Sequence, residues 1–311
     1  SLPFATRAML RDLIGQYIER HYAHVLSQYV GLLAYHYGRS DNEVKKREYL
    51  LKAGEASQAD YANEAAIEYF RRALPLLAEA GRPGVLRKLG SVLELVGQWD
   101  EASTLYMEGS QLAQKHQNSQ EDAWCQAAQA ELLRKRGRLE EATRHLEAAR
   151  QTFEKLQDQD GVAQAFHSAG TLAAQQGQYE KARTLYEQSM ALRRALNQPA
   201  FIAALLSNLA IIARFQGDLA ESRRLNEEAL AIRRQVGDRR TIANSLNNLG
   251  NLVRNLGDLA QARRHLEEAL QLQREVGDRW AIANSLNNLG NVVRDQSDFE
   301  TARQLYEESL T

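Results

Sequence analysis

The run IANSLNNLGN occurs twice, at residues 242–251 and 282–291, unchanged and forty residues apart. Identity at a fixed interval of this size marks a repeat, in which one supersecondary unit buries its apolar face by stacking on copies of itself. Three markers fix the phase along the chain. A small residue recurs at Gly54, Gly90, Ala130, Gly170, Ala210, Gly250 and Gly290. Seven positions later stand Gly97, Gly137, Gly177, Gly217, Gly257 and finally Ser297. Twelve positions after the first marker come Ala66, Ala102, Ala142, Ala182, Ser222, Ala262 and Ala302. The step is forty residues from Gly90 on, and thirty-six from Gly54 to Gly90.

Each marker has a physical reason. A small residue inside a helix admits a neighbouring helix closely. A glycine seven later can take the left-handed conformation that ends the helix. A second small residue allows close packing within the resulting hairpin. Ser297 meets a steric penalty where glycine does not, so the last turn is expected to be looser.

Four positions after the second small residue stand Phe70, Tyr106, Leu146, Tyr186, Leu266 and Tyr306, with Asn226 as the departure. This set resembles the tetratricopeptide repeat. The forty-residue unit, with GDR between units and NLGN in the first helix, is similar to the long-repeat branch found in spindle-orientation adaptors and kinesin light chains. The resemblance covers about residues 47–311. It implies an all-α fold, a right-handed α-solenoid of helical hairpins whose first helices line a concave surface. Seven repeats are expected, at about 47–82, 83–122, 123–162, 163–199, 200–239, 240–279 and 280–311. Residues 1–46 then hold an N-terminal helical pair and the start of the first repeat helix.

Within that N-terminal part, Leu10, Leu13, Ile14, Tyr17 and Ile18 follow helical spacing, as do Val25, Leu26, Tyr29, Leu32, Leu33 and His36. Two helices are expected, about 4–20 and 22–38, covering the first repeat. Ser40 and Glu43 have the spacing of a capping box that opens the next helix. The runs AYHY, YLLKAGE and YANEAAIEYFRRAL, within residues 34–74, look like the entry to the repeat region of bacterial multidomain signalling proteins. Those proteins join a nucleotide cyclase, an ATPase of the AAA or STAND type and a C-terminal repeat array. A start at Ser1 without Met fits a piece of such a longer protein.

Composition narrows the function class. Net charge is −1, which argues against a bulk electrostatic footprint for nucleic acid or membrane. Cys125 is the only cysteine, so no disulfide forms within one chain, and a reducing, cytoplasmic location is expected. No signal peptide or bilayer-spanning apolar run is present. P-loop, zinc-binding, Gly-x-Ser-x-Gly and calcium-loop patterns are absent, so neither enzyme activity, cofactor nor metal is expected. His21 and His24 read as interface packing, Cys125 as a small buried residue, and Trp99 as a staple beside a turn. Arg183/Glu187, Arg223/Glu227, Arg263/Glu267 and Arg303/Glu307 read as the solvated outer face of second helices.

One pattern asks for more. In residues 240–255, Leu246, Leu249, Gly250 and Val253 form an apolar stripe, while Asn244, Asn247, Asn251 and Arg254 run along the roughly opposite face, with Asn248 alongside. The next unit repeats this with Asn284, Asn287, Asn288, Asn291 and Arg294, and the preceding one keeps Ser207, Asn208 and Arg214 with Ile211 between. Asn costs roughly 0.6 kcal/mol against Ala inside a helix, because its amide competes for backbone hydrogen bonds. A merely wet face would use Glu, Lys or Arg. A ladder of amides, offering donors and acceptors together, can hold an extended peptide backbone, although duplication of an idle pattern would also copy it. Arg134, Arg214, Arg254 and Arg294 share one position in the unit, a row that would favour an acidic peptide. The match to the chaperone-tail carboxylate clamp is poor, since Asn247 and Asn287 stand where that clamp wants Lys. The leading expectation is therefore a protein-interaction scaffold holding an extended partner segment. The alternatives are a regulatory arm docking on other domains of its parent chain, and a self-assembling solenoid pairing end to end through Leu305, Tyr306 and Leu310 of its last helix.

Overall fold

The computed structural model describes residues 3–310, which are helical apart from short turns. The helices are α1 (Phe4–His21), α2 (Val30–Tyr37), α3 (Glu43–Ala59), α4 (Asn63–Ala73), α5 (Pro83–Leu95), α6 (Trp99–Lys115), α7 (Ser119–Lys135) and α8 (Leu139–Lys155). They continue as α9 (Gln159–Gln175), α10 (Tyr179–Ala195), α11 (Pro199–Phe215), α12 (Leu219–Val236), α13 (Arg239–Asn255), α14 (Leu259–Val276), α15 (Arg279–Asp295) and α16 (Phe299–Ser309). From α3 on they pair in tandem as antiparallel hairpins, so the fold is an all-α solenoid of the kind the repeat implies. The chain divides within the first turn of α9 into two units, Ser1–Gly161 and Val162–Thr311.

The hairpin turns are built alike. Gly97, Gly137, Gly177, Gly217 and Gly257 all have positive φ, and the next residue donates its N–H to the carbonyl five back, as in Gln98 to Leu93 at 2.9 Å and Asp258 to Val253 at 3.0 Å. Ser297 adopts φ +68° and keeps the same bond, Asp298 to Val293 at 3.1 Å. The last turn is thus not loosened: the closing bonds hold serine in the left-handed region. A second left-handed set joins successive hairpins, at Gln117, Gln157, Asn197, Gly237 and Gly277. After the last two, Asp238 and Asp278 cap α13 and α15 through their side chains, which explains the GD pair between units.

The first marker accommodates the bulky residue of the second helix. A Cβ built on Gly90 would lie 2.5 Å from the Tyr106 ring, on Gly290 2.6 Å from Tyr306, and on Gly54 2.7 Å from Phe70. Where Ala replaces Gly, at Ala130 and Ala210, the facing residues are the non-aromatic Leu146 and Asn226. The thirty-six-residue first step also has a cause. Pro75 stops α4 after 11 residues, against 17 in α6 and α8, because proline has no N–H and clashes with the preceding turn.

In the first unit, α1 and α2 pack onto α3 through Ile18, Leu33, Tyr37, Tyr49 and Ala53. Several N-terminal details differ from expectation. Residues 23–29 form a 3-10 segment with a break at Val25, so α2 begins only at Val30. Asn42, not Ser40, caps α3 by accepting from the Lys45 N–H, and Ser40 instead donates to the Tyr37 carbonyl at 3.0 Å. The apolar stripe of α1 faces outward, with Leu10, Leu13, Ile14 and Tyr17 exposed. Its buried side is Ala8, Gly15 and Ile18, because Gly15 sits hard against the Tyr37 ring and only a small residue fits there. His21 and His24 are exposed rather than packed at an interface; His21 stacks on Tyr17 with centroids 3.9 Å apart.

Glu19 ties α1 to its neighbours. It accepts from Tyr49 Oη at 2.6 Å, from Lys45 Nζ at 2.7 Å and from Tyr37 Oη at 2.7 Å. Burial acts to raise its carboxyl, but the hydrogen bonds from Lys45, Tyr49 and Tyr37 more than offset it and hold the group below its ordinary value. A carboxyl lowered on folding adds stability above its unfolded value, about 4.3 for glutamate, and loses it as pH falls through the folded value. Glu19→Gln should therefore be less stable than wild type at pH 7, with the gap closing on acidification below ~4. Denaturant titrations of both proteins across that range check it; a gap independent of pH would contradict the assignment.

The readings of Cys125 and Trp99 are met, and those of the Arg–Glu pairs in part. Cys125 is fully buried and burial pushes its thiol up to about 12, so it is an inert core residue. Trp99 Nε1 donates to the Glu94 carbonyl at 3.1 Å, across the α5–α6 turn. Arg223 and Arg263 pair with Glu227 and Glu267 at 2.8 Å each, but Arg183 reaches Gln216 instead. No helix among the described residues is long and apolar enough to cross a membrane.

Candidate functional site

The asparagine pattern lies in the second unit, on α13 and α15. Ile242, Leu246, Leu249, Gly250 and Val253 are buried against α12 and α14, so the helix is anchored along one face. Within this unit α13 packs directly on α15, whereas α14 and α16 make no comparable contact among the described residues. The amides lie on the α13–α15 side of this packing, away from the buried apolar face of α13.

The amides divide into two groups. Asn247 is a hub between α13 and α15. Its Nδ2 donates to Asn284 Oδ1 at 3.2 Å, and its Oδ1 accepts from Asn288 Nδ2 at 3.0 Å and from the buried Ser285 hydroxyl at 3.1 Å. Asn288 Nδ2 also donates to Asn284 Oδ1 at 2.9 Å. Asn291 accepts from Tyr306 Oη at 2.9 Å, and Asn208 Nδ2 lies 2.9 Å from His167 Nε2. These side chains join one helix to the next. By contrast, Asn244, Asn248, Asn251 and Asn287 make no side-chain hydrogen bond to another described residue. Asn244, Asn248 and Asn287 are exposed, and Asn251 is half-buried.

The arginine row is not a row of open cations. Arg134 is paired with Glu131 of its own helix at 2.6 Å. Arg254 is paired with Asp295 at 2.7 Å, and Arg294 with the same carboxylate at 3.2 Å. The hydrogen bonds from these two arginines hold Asp295 below its usual carboxylate range, Arg254 contributing most. Arg214 has no carboxylate within ion-pair distance among the described residues; its guanidinium lies 5.7 Å from the Phe215 ring. Ser207 is half-buried and donates to the Ala203 carbonyl at 3.1 Å.

The hub gives a direct test of which amides are structural. Asn247→Ala strips the acceptor from Ser285 and Asn288 and should cost about 1–3 kcal/mol. Asn287→Ala removes an exposed amide with no internal partner and should leave stability within about 0.5 kcal/mol of wild type. Paired denaturation curves decide this, and equal losses would contradict the division. Sequence reasoning missed Ser285, Asp295 and His167, although Ser245 and Ser285 sit at matching positions and could have signalled a buried polar partner.

At the last helix, Leu305 and Tyr306 pack against the core with α15, whereas Leu310 just beyond its end and Phe299 at its start are exposed. Among the described residues no group of three or more His, Cys, Asp or Glu could hold a metal ion.

Tandem helical hairpins of this kind define a helical-repeat interaction scaffold. The chain belongs to the tetratricopeptide repeat family, whose profile matches residues 82–155, 122–195, 201–254 and 241–311. A comparison with curated proteins finds no match. Among solved structures, it is similar to the Rap conjugation gene regulator of plasmid pLS20 in complex with the Phr peptide (14% identity, 86% of this chain and 74% of that one, TM-score 0.67). It is also similar to the apo quorum sensor NprR of B. thuringiensis (17% identity, 100% and 88%, TM-score 0.66). The nearly identical repeats of a kinesin light chain from Podospora anserina align at 19% identity over 59% and 91%, with a TM-score of 0.50. At such identities these likenesses show the fold alone.

Proposed function

We propose that the amide-bearing layer of α11, α13 and α15 holds an extended segment of a partner protein. The observation that carries this reading is the set of amides without internal partners, Asn244, Asn248, Asn251 and Asn287. Asparagine disfavours the helix interior, so its presence at positions that bond nothing within the chain favours an external ligand. A primary amide matches both the N–H and the C=O of an extended backbone, which gives affinity with little demand on sequence. A Rap relative of the same fold is bound to a peptide, which supports this use of the solenoid.

The test separates binding from folding. Peptides selected from a display library on the wild-type protein are titrated against the triple variant Asn244→Ala, Asn248→Ala, Asn287→Ala. Affinity should fall on the order of tenfold or more, with an unchanged thermal midpoint. Unchanged affinity would remove the amide face from the binding site.

A further inference from the structure

Comparison of neighbouring hairpins isolates one place where α11–α12 departs from the rest twice over. The second-helix position that faces the small residue is bulky and apolar elsewhere, as in Tyr186 and Leu266 on either side, but is Asn226 in α12. The Asn226 amide turns back and donates to the Ser222 carbonyl at 2.9 Å, so it does not fill the space. A cavity of about 150 Å³ is left between α11 and α13, lined by Ser207, Arg214, Asn226, Asn248 and Asn251 among others. A single water needs only about 10–15 Å³ on such a measure, so a short side chain fits.

The second departure concerns charge. Arg254 of α13 is neutralised by Asp295 of α15, forty-one positions on. The residue forty-one beyond Arg214 is Asn255, which carries no charge. The same cation is therefore left without the partner that its successor has, and it borders the cavity that Asn226 opens.

Building on the groove reading, we propose that this cavity is a subsite for a carboxylate side chain, Asp or Glu, of the bound segment. The guanidinium fork of Arg214 pairs with the carboxylate, and the amides of Asn248 and Asn251 donate to its remaining lone pairs. The departure of Asn226 from the repeat pattern and the uncompensated Arg214 then have one cause. The pocket adds selection at a single position to a face that otherwise recognises backbone.

The experiment pans one display library, with the random segment flanked on both sides, against wild type, Arg214→Gln and Asn226→Leu. Leucine at 226 restores the residue found at Leu146 and Leu266, so this variant should fold at least as stably as wild type. Wild type should enrich peptides with Asp or Glu at one aligned position. Arg214→Gln should lose that preference while keeping the rest of the consensus, and Asn226→Leu should lose it by filling the cavity. In resynthesised peptides, Glu→Gln at that position should weaken wild-type binding on the order of tenfold and leave Arg214→Gln unmoved. An acidic preference that is absent, or that survives both substitutions, overturns the subsite and leaves the groove reading standing. Binding that requires a free C-terminal carboxyl, found by comparing peptide acids with amides, overturns the side-chain assignment. Enrichment of no peptide at all overturns the groove reading and the subsite with it.

Discussion

Arg193→Ala is expected to destabilise the second unit by about 3–5 kcal/mol, the largest effect of any single substitution considered for this chain. Arg193 is 1% exposed, an unusual burial for an arginine. Its Nη1 donates to Gln198 Oε1 at 2.5 Å and its Nη2 to Gln164 Oε1 at 3.3 Å, while the guanidinium lies 4.1 Å from the Phe201 ring. It stands at the position held by Phe153 forty residues earlier, so it is a core knob built from a charged residue. Truncation removes the buried stem, the stacking and the bonds to Gln164 and Gln198 together. Arg193→Met keeps most of the stem volume and should recover a substantial part of the loss. Denaturant titration of the three proteins measures this. A loss under about 1 kcal/mol for Arg193→Ala would show that the site collapses without cost.

Gly90→Ala comes next, at about 1–3 kcal/mol from overpacking. The new Cβ would sit 2.5 Å from Tyr106 Cε1. The ring cannot swing aside cheaply, because it is buried and its hydroxyl donates to the Glu94 carboxylate at 3.0 Å. Glu94 in turn is held by Lys135 of α7 at 2.6 Å. The double variant Gly90→Ala, Tyr106→Leu recreates the Ala130–Leu146 pair of the α7–α8 hairpin. It should therefore be more stable than the sum of the two single changes predicts, a coupling that a double-mutant cycle reads directly. Strict additivity would mean that the small residue and the aromatic do not contact as described.

Much of this architecture was legible in the sequence, for a physical reason. The Gly97 and Ala102 positions recur because each hairpin solves the same packing problem, and the solution needs a left-handed turn and a close approach. The Gly–aromatic match was visible as two separate markers, and the structure joins them into one contact. What was not legible depends on neighbours that periodicity does not name. The face of α1 was read from its large apolar residues, yet Gly15 faces inward because Tyr37 fills the space above it. Helical spacing correctly placed the Asn stripe opposite the apolar one, but it could not divide that stripe. Asn247 and Asn287 hold the same position in successive hairpins. Asn247 meets Asn284, Ser285 and Asn288 of α15, whereas Asn287 makes no such bond among the described residues. The arginine row failed as a reading of open charge for a like reason, since Asp295 lies outside the stripe that was followed. The contrast of Asp295 with Asn255 was nonetheless present in the register, and it singles out Arg214.

The central claim is that the amide-bearing layer of α11, α13 and α15 is where a partner segment lies. A co-crystal structure with a display-selected peptide tests it most directly. The peptide should run extended across these three helices, its main chain bonded to Asn248 and Asn287. A peptide seated instead on the second helices, against the Arg223–Glu227 and Arg263–Glu267 pairs, would contradict the account.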